Sequence, residues 1–577
     1  MTRSRIAKHL RAVACCCLVA APSLVACSSE DPDGPGKTPA PGTEDPLPVT
    51  LETVPCRYVV PKSVEGTDFS CGDQPVPENR AKEGSRSISL HVIVFRGKKG
   101  GVPTIILEGG PGGSAESEAT GLAMKDPVFV ERFEKLLGQG DVVMFDQRGV
   151  GRSTPRLTCV PEETKNDPDP AGTCFARLEK SGVDFAGYDS AANADDVADI
   201  AKAIGARKVN LLGISYGSRL GLEVLRRHPD IVRGAVVDGV LPAEVKIFTD
   251  TMPNLDATIT HIFQACAADA TCNTTYPDLD GSLVKLKAKL DATPFTAGSF
   301  TFDWTEFVGT VFDTLYEDGS GAQLPYFVHT LLKQTQAEWS ADQSAQNAKY
   351  EKAQKAKQDA LSATPLGKEV LDRLAGSEGK LHDEIAGDLA FGMYAAVSCA
   401  DSGQYETLED AVAALASVRK DLRAFGEAEA RSAFAGCRTL PSIAPKSDIA
   451  KPVTAAVPTI VIGGDLDPIT PSKNARAVAS ALAGSQLVVV PSGAHGFVNE
   501  CGTTLKAGFL STLKPVDAAC AAGGITFYYG GQGVASMAGP AGVRPARAAR
   551  GGGRTVERRS QAGARGSSFP SPPSTRR

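Results

Sequence analysis

The chain has 577 residues, 42% hydrophobic and 22% charged, with 61 Lys and Arg against 67 Asp and Glu for a formal charge of −6. That composition excludes wholesale disorder and a polytopic membrane protein, and the charge balance gives no footing for a nucleic-acid partner. The charge is uneven: residues 1–26 hold Arg3, Arg5, Lys8 and Arg11 without an acid, and residues 541–577 hold nine Arg against Glu557, so the stretch between is acidic.

Residues 1–26 read as an export signal, with a basic start and an apolar run over 12–21 that is too short to span a bilayer. Leu24-Val25-Ala26-Cys27 resembles a bacterial lipobox, so Cys27 is the expected lipidation site of an extracytoplasmic, membrane-anchored lipoprotein. Residues 27–50 are rich in Pro, Gly and acids and are expected to be a flexible linker. With Cys15, Cys16, Cys17 and Cys27 set aside, ten cysteines remain: Cys56, Cys71, Cys159, Cys174, Cys266, Cys272, Cys399, Cys437, Cys501 and Cys520. An even number in an exported chain favours disulfides. Sequential pairing closes short loops, but spacing alone leaves the connectivity open. There is no C-x-x-C or H-E-x-x-H, hence no ligand set for zinc.

Apolar runs of strand length cover 89–95, 104–107, 142–145, 209–212, 234–237, 459–462 and 487–490. Runs so continuously apolar are covered on both faces, as in parallel α/β sheets. Helical patterns at 191–204 and 218–227 flank the run at 209–212, so strand and helix alternate. The sheet signal stops near Val240 and returns near Pro458, and the interval reads helical, as at 335–363. The expected architecture is an α/β core in two parts, 51–245 and 451–528, a helical cap inserted at 246–450, and a disordered basic tail over 529–577.

The strongest local signal is Gly213-Ile214-Ser215-Tyr216-Gly217 between the strand at 209–212 and a helix. G-x-S-x-G in that setting suits a nucleophile elbow, which lifts Ser215 to the carboxyl edge of the sheet. A serine hydroxyl needs an imidazole to take its proton. Of seven histidines, His9 falls in the signal, His91 in a strand, His228 at a helix end, and His261, His329 and His382 in the cap. His495 remains, in Gly493-Ala494-His495-Gly496 after the last strand. The carboxylate that orients it is sought in Gly463-Gly464-Asp465-Leu466-Asp467-Pro468, where Asp467 lies further along the loop than Asp465 and is the better placed to reach His495.

Acyl transfer also requires donors for the developing oxyanion. Glu108-Gly109-Gly110-Pro111-Gly112-Gly113 after the strand at 104–107 exposes backbone N–H groups, and this loop paired with the N–H of Tyr216 forms the expected oxyanion hole. The rival reading, a phosphate loop, lacks a following Gly-Lys-Ser or Gly-Lys-Thr.

Taken in order, Gly109 to Gly112, Asp146-Gln147-Arg148-Gly149, the segment around Ser215, His228-Pro229, Gly463 to Pro471 and the His495 loop resemble the proline-iminopeptidase and tripeptidyl-aminopeptidase-like α/β-hydrolases. The resemblance covers about residues 51–528, and the long cap and paired cysteines are more similar to the tripeptidyl-aminopeptidase-like branch. It implies a mostly parallel sheet, a Ser215, Asp467 and His495 triad, Gly110 and Tyr216 as the oxyanion donors, no cofactor or metal, and a short peptide cleaved near its N-terminus through an acyl-enzyme. Arg148 is implied to brace the loops of the site; alternatively it pairs at the surface with Asp146 or another acid. Glu108 stands where the iminopeptidases have His. A substrate ammonium needs a carboxylate, and Glu108, Glu306, Glu317 and Asp401 are candidates. Ester hydrolysis on the same triad and a non-catalytic, peptide-binding lipoprotein are the alternative functions.

Overall fold

Val, Ile and Leu fill the apolar runs, and successive residues point to opposite faces of a strand, so each strand feeds two cores at once. The computed structural model describes residues 48–56, 65–115, 127–159, 169–298, 300–317, 319–362, 389–440 and 450–529, all within one compact unit. The signal segment, Cys27, most of the linker and the basic tail beyond 529 lie outside the described residues.

Nine strands form one sheet: β1 (Glu52–Val54), β2 (Phe69–Pro77), β3 (Ser87–Phe95), β4 (Thr104–Leu107), β5 (Val142–Phe145), β6 (Val209–Ile214), β7 (Val232–Asp238), β10 (Thr459–Gly464) and β11 (Gln486–Val490), in the order β1-β2-β3-β5-β4-β6-β7-β10-β11. From β5 to β11 all neighbours are parallel. The first three strands are antiparallel, including β3 against β5, which departs from the parallel setting expected of 89–95. Val92, Val94, Leu211 and Val461 enter the core on one face, and Ile93, Phe95, Leu212 and Ile462 the core on the other.

Two strands carry no apolar-run signal. β2 contains Gly72, Asp73, Pro75 and Pro77, all poor strand formers. β1 pairs only with Cys71–Asp73, so the rest of β2 is an edge, where proline is tolerated.

The insertion between β7 and β10 is mainly helical. In the helix Ile247–Ala268, Leu255, Ile259, Ile262 and Cys266 recur at helical spacing and are buried. They join Leu286, Phe307 and Val311 in a separate core. The insertion is not wholly helical, because β8 (Phe295–Ala297) and β9 (Phe300–Phe302) form a hairpin around Gly298, whose φ is +60°. The ten cysteines pair sequentially: Cys56–Cys71, Cys159–Cys174, Cys266–Cys272, Cys399–Cys437 and Cys501–Cys520.

The last described residues leave the sheet and pack on the insertion. Phe527 is buried in the cap core, the Tyr528 N–H donates to the Ala322 carbonyl at 3.2 Å, and the Tyr276 hydroxyl donates to the Tyr528 carbonyl at 2.8 Å. Residues 525–528 therefore pack with the cap rather than with the sheet to which the sequence assigns them.

Candidate active site

The ends of β4, β6, β7, β10 and β11 meet along the carboxyl edge of the sheet, where ligands of open α/β sheets bind. Ser215 stands between β6 and the helix Tyr216–Arg227 with φ 61° and ψ −128°. A non-glycine residue held there carries strain of order 1–3 kcal/mol, an arrangement that clusters at functional sites. The flanking glycines make the turn feasible: a Cβ on Gly217 would lie 1.9 Å from the Leu107 carbonyl oxygen, and one on Gly213 would lie 2.1 Å from that of Gly217.

The loops after β10 and β11 are laced together, with the Asp465 N–H donating to the Val490 carbonyl at 3.0 Å and the Leu466 N–H to that of Gly493 at 2.9 Å. This brings Asp467 against His495, whose Nδ1 lies 2.8 Å from Asp467 Oδ2. The other oxygen of Asp467 accepts the N–H groups of Ile469 at 2.9 Å and Thr470 at 2.8 Å. The Thr470 hydroxyl donates to Asp467 Oδ2 and lies 3.0 Å from the same imidazole nitrogen. Asp465 instead accepts the Ser472 hydroxyl. Burial alone would push the Asp467 carboxyl up, but His495 and these hydrogen bonds hold it below the ordinary carboxylate value. Burial likewise works against the His495 imidazolium, yet the Asp467 charge, the hydrogen bond to it and the field of Asp238 raise the imidazole above its ordinary value.

Among the described residues no hydrogen bond joins the Ser215 hydroxyl to His495. Shared neighbours bring them together. The Ser215 N–H donates to the Asp238 carbonyl at 3.0 Å, and a Cβ on the next residue, Gly239, would lie 3.4 Å from His495 Cε1. Hydrogen bonds of catalytic groups are often long before substrate binds.

The glycine loop lies directly over the nucleophile: a Cβ on Gly109 would be 3.2 Å from Ser215 Cβ and 3.7 Å from its Oγ. Tyr216 opens its helix, so its N–H has no intrahelical acceptor and points with the positive end of the helix dipole. The loop is anchored from β5, where Gln147 Nε2 donates to the Glu108 carbonyl at 2.9 Å and Asp146 accepts from the Ser114 hydroxyl and the Ala115 N–H, each at 2.9 Å.

Residues 103–316 match the family model for the α/β-hydrolase fold, and residues 422–520 match that for TAP-like proteins. The chain has the α/β-hydrolase fold. It is similar to a tripeptidyl aminopeptidase of Streptomyces coelicolor, 32% identical over 36% of this chain and 40% of the relative. It is also similar to the serine protease Hip1 of Mycobacterium tuberculosis, 27% identical over 38% and 46%, and to a proline iminopeptidase of Neisseria gonorrhoeae, 31% identical over 26% and 37%. The aligned part spans less than half the length of each.

The surface alternative for Arg148 and the ammonium-binding role of Asp401 need correction. Arg148 is no surface residue: it is fully buried, its guanidinium grips both oxygens of Asp196 at 2.7 and 2.8 Å, and it donates to the carbonyls of Glu78 and Gly187. Asp401, a candidate for the substrate ammonium, is 2% exposed and already engaged, by Arg219 at 3.1 Å and by the hydroxyl and N–H of Ser190. The Ser190 hydroxyl also meets the buried Tyr216 hydroxyl at 2.9 Å, so Asp401 supports the elbow from behind. Burial pushes the Asp401 carboxyl up, against Arg219 and Ser190. Glu108 is half-buried, and a Cβ on Gly113 would lie 3.9 Å from its Cβ.

Sequence reasoning missed Tyr316, Thr470, Asp238 and Lys506. Thr470, three residues after Asp467 in a turn, could have been noticed as a local partner for a carboxylate. Tyr316 lies in the cap, with no local signal to tie it to the sheet edge.

Proposed function

We propose that this chain is a serine hydrolase that cleaves short peptides near their N-terminus through an acyl-enzyme. The observation that carries the reading is the strained Ser215 elbow beside a buried Asp467–His495 pair. The named activities of the relatives favour peptides over esters.

The Asp467 carboxylate accepts the proton on His495 Nδ1, which leaves Nε2 as the base. Ser215 Oγ attacks the substrate carbonyl carbon as Nε2 takes the hydroxyl proton, and the C=O pair moves onto oxygen. The N–H groups of Tyr216 and of the glycine loop at Gly110 stabilise that oxyanion. Collapse expels the amine, which takes the proton from Nε2 and leaves the acyl group on Ser215. A water deprotonated by His495 then releases the acid and restores the serine. Glu108, one residue from the loop over Ser215, is assigned to the substrate ammonium. The cap restricts the site to small or unfolded peptides, and rapid cleavage of folded proteins would contradict this.

The five disulfides fit an oxidising compartment, and no helix among the described residues is long and apolar enough to cross a membrane. A lipid on Cys27 is the proposed anchor, and Cys27→Ser should release the protein from membranes. The activity is tested with a fluorophosphonate, which should label wild type but not Ser215→Ala. Parallel rates on tripeptidyl amides, prolyl amides and short acyl esters then read the substrate class; ester turnover without amide cleavage would replace this reading with an esterase.

A further inference from the structure

Asp238, the last residue of β7, touches both halves of the site through different atoms. Its carbonyl oxygen accepts the N–H of Ser215 at 3.0 Å, and its carboxylate Oδ2 accepts the N–H of Phe497, two residues beyond His495, at 2.8 Å. The same oxygen is ion-paired with Lys506 Nζ at 2.6 Å, and that ammonium donates to the Phe497 carbonyl at 2.8 Å. Both polar groups of Phe497 are therefore held by one buried pair, Asp238 at 1% exposure and Lys506 at 2%. Lys506 belongs to the helix Glu500–Thr512, so the pair fixes three elements: the end of β7, the loop after β11 and the helix that follows it. Between Ser215 and Phe497, Gly496 adopts φ +80°, and a Cβ there would lie 3.0 Å from Ile214 Cγ2, so the loop has little room to drift.

A buried ion pair is a weak source of stability, since an apolar pair of similar volume is often as good. Its retention is better accounted for by geometry. An imidazole displaced by about 1 Å from its serine costs about a hundredfold in rate. We infer that Asp238, neutralised and oriented by Lys506, is a positioning residue that fixes the distance between the nucleophile Ser215 and the base His495. The assignment rests on the serine-hydrolase reading above. The titratable groups that face His495 are Asp467 and Asp238 from the sheet edge and Tyr316 from the cap, with Lys506 behind Asp238.

The test compares the intact protein with two charge-neutral double variants, because Asp238→Ala alone strands a buried ammonium and invites misfolding. Asp238→Asn/Lys506→Met keeps an acceptor for the Phe497 N–H, whereas Asp238→Val/Lys506→Met removes it. The readouts are the fluorophosphonate labelling rate as a function of pH, kcat and KM on a peptide amide, and thermal midpoints. The expected order of labelling rates is wild type, then the Asn double, then the Val double, the last down about a hundredfold. KM should stay within about twofold, since no substrate contact is lost. The limb of the labelling profile at low pH should move to lower pH in both doubles, because a carboxylate that favours the imidazolium is gone. If wild type labels and both folded doubles label at its rate with an unmoved profile, the positioning role is wrong. Failure of wild type to label would instead bring down the serine-hydrolase reading, and this role with it.

Discussion

Tyr316 of the cap sits edge-on to the His495 ring, centroid to centroid 4.7 Å, and its carbonyl accepts the His495 N–H at 3.2 Å. The inserted cap thus holds the proposed base, His495, in place. An edge-to-face aromatic contact of this kind contributes about 1 kcal/mol. Tyr316→Ala should therefore lower kcat several-fold with the fold intact, while Tyr316→Phe, which keeps the ring, should stay near wild type. Steady-state kinetics on a peptide amide read both.

The triad itself makes a steeper prediction. Ser215→Ala should abolish labelling, and Asp467→Asn should cut kcat by about 10⁴, since an amide in that place favours the wrong imidazole tautomer. Thr470→Val, which removes only the hydroxyl shared by Asp467 and His495, should cost less than Asp467→Asn. A Thr470→Val enzyme as slow as Asp467→Asn would show that the hydroxyl is as necessary as the carboxylate.

The pH dependence follows from the His495–Asp467 pair. The base must be neutral, and its pKa is raised, so kcat/KM should climb with pH along a limb lying above the ordinary histidine value of 6.5. Stability has the opposite sign for this group: the contribution from the raised imidazole is full below 6.5 and is lost as pH rises through the folded-state value. The lowered Asp467 contributes above the ordinary carboxylate value of 3.8 and loses that contribution as pH falls through its folded-state value. Asp467→Asn should shift the residual activity limb to lower pH.

Arg148, which follows the loop anchors Asp146 and Gln147 in the chain, tests the buried ion pair with Asp196. Arg148→Met leaves Asp196 with only Arg80 as a cationic partner, and breaking a buried pair costs about 3–5 kcal/mol at most. Lys cannot restore the two-pronged grip on Asp196, so Arg148→Lys should rescue little. Thermal unfolding under conditions that leave the disulfides intact would measure both.

The Cys399–Cys437 bridge joins the segment that carries Asp401 to the helix Lys420–Thr439 and closes 38 residues. Replacing both cysteines by Ala should lower stability by about 2–4 kcal/mol. Because Asp401 meets Ser190 and Ser190 meets Tyr216, labelling of Ser215 should slow as well. A destabilised variant that labels at full rate would show that the elbow does not depend on this support.

Much of the parallel sheet was legible because buried strands leave unbroken apolar runs; the runs at 104–107 and 142–145 coincide with β4 and β5. The motifs that carry the proposed site stand out for a related reason, since G-x-S-x-G, D-L-D-P and G-A-H-G each follow a strand that can be recognised. β2 was hidden by Gly72 and by its prolines, which its edge part accommodates but a central strand would not. Asp238 and Lys506 were hidden by distance, being 268 residues apart with nothing local to connect them. Asp401 gave no sign of being already paired, because its partner Arg219 lies in another element, 182 residues away.

The docking of Phe527 and Tyr528 onto the insertion adds a strap to those that the Tyr316–His495 and Asp401–Arg219 contacts already draw between cap and sheet. A cap tied at several separate places resists swinging open as a rigid lid. Trimming the chain back to Ala522 should therefore loosen the entrance and admit longer peptides, and an unchanged size limit would show that this strap does not guard it.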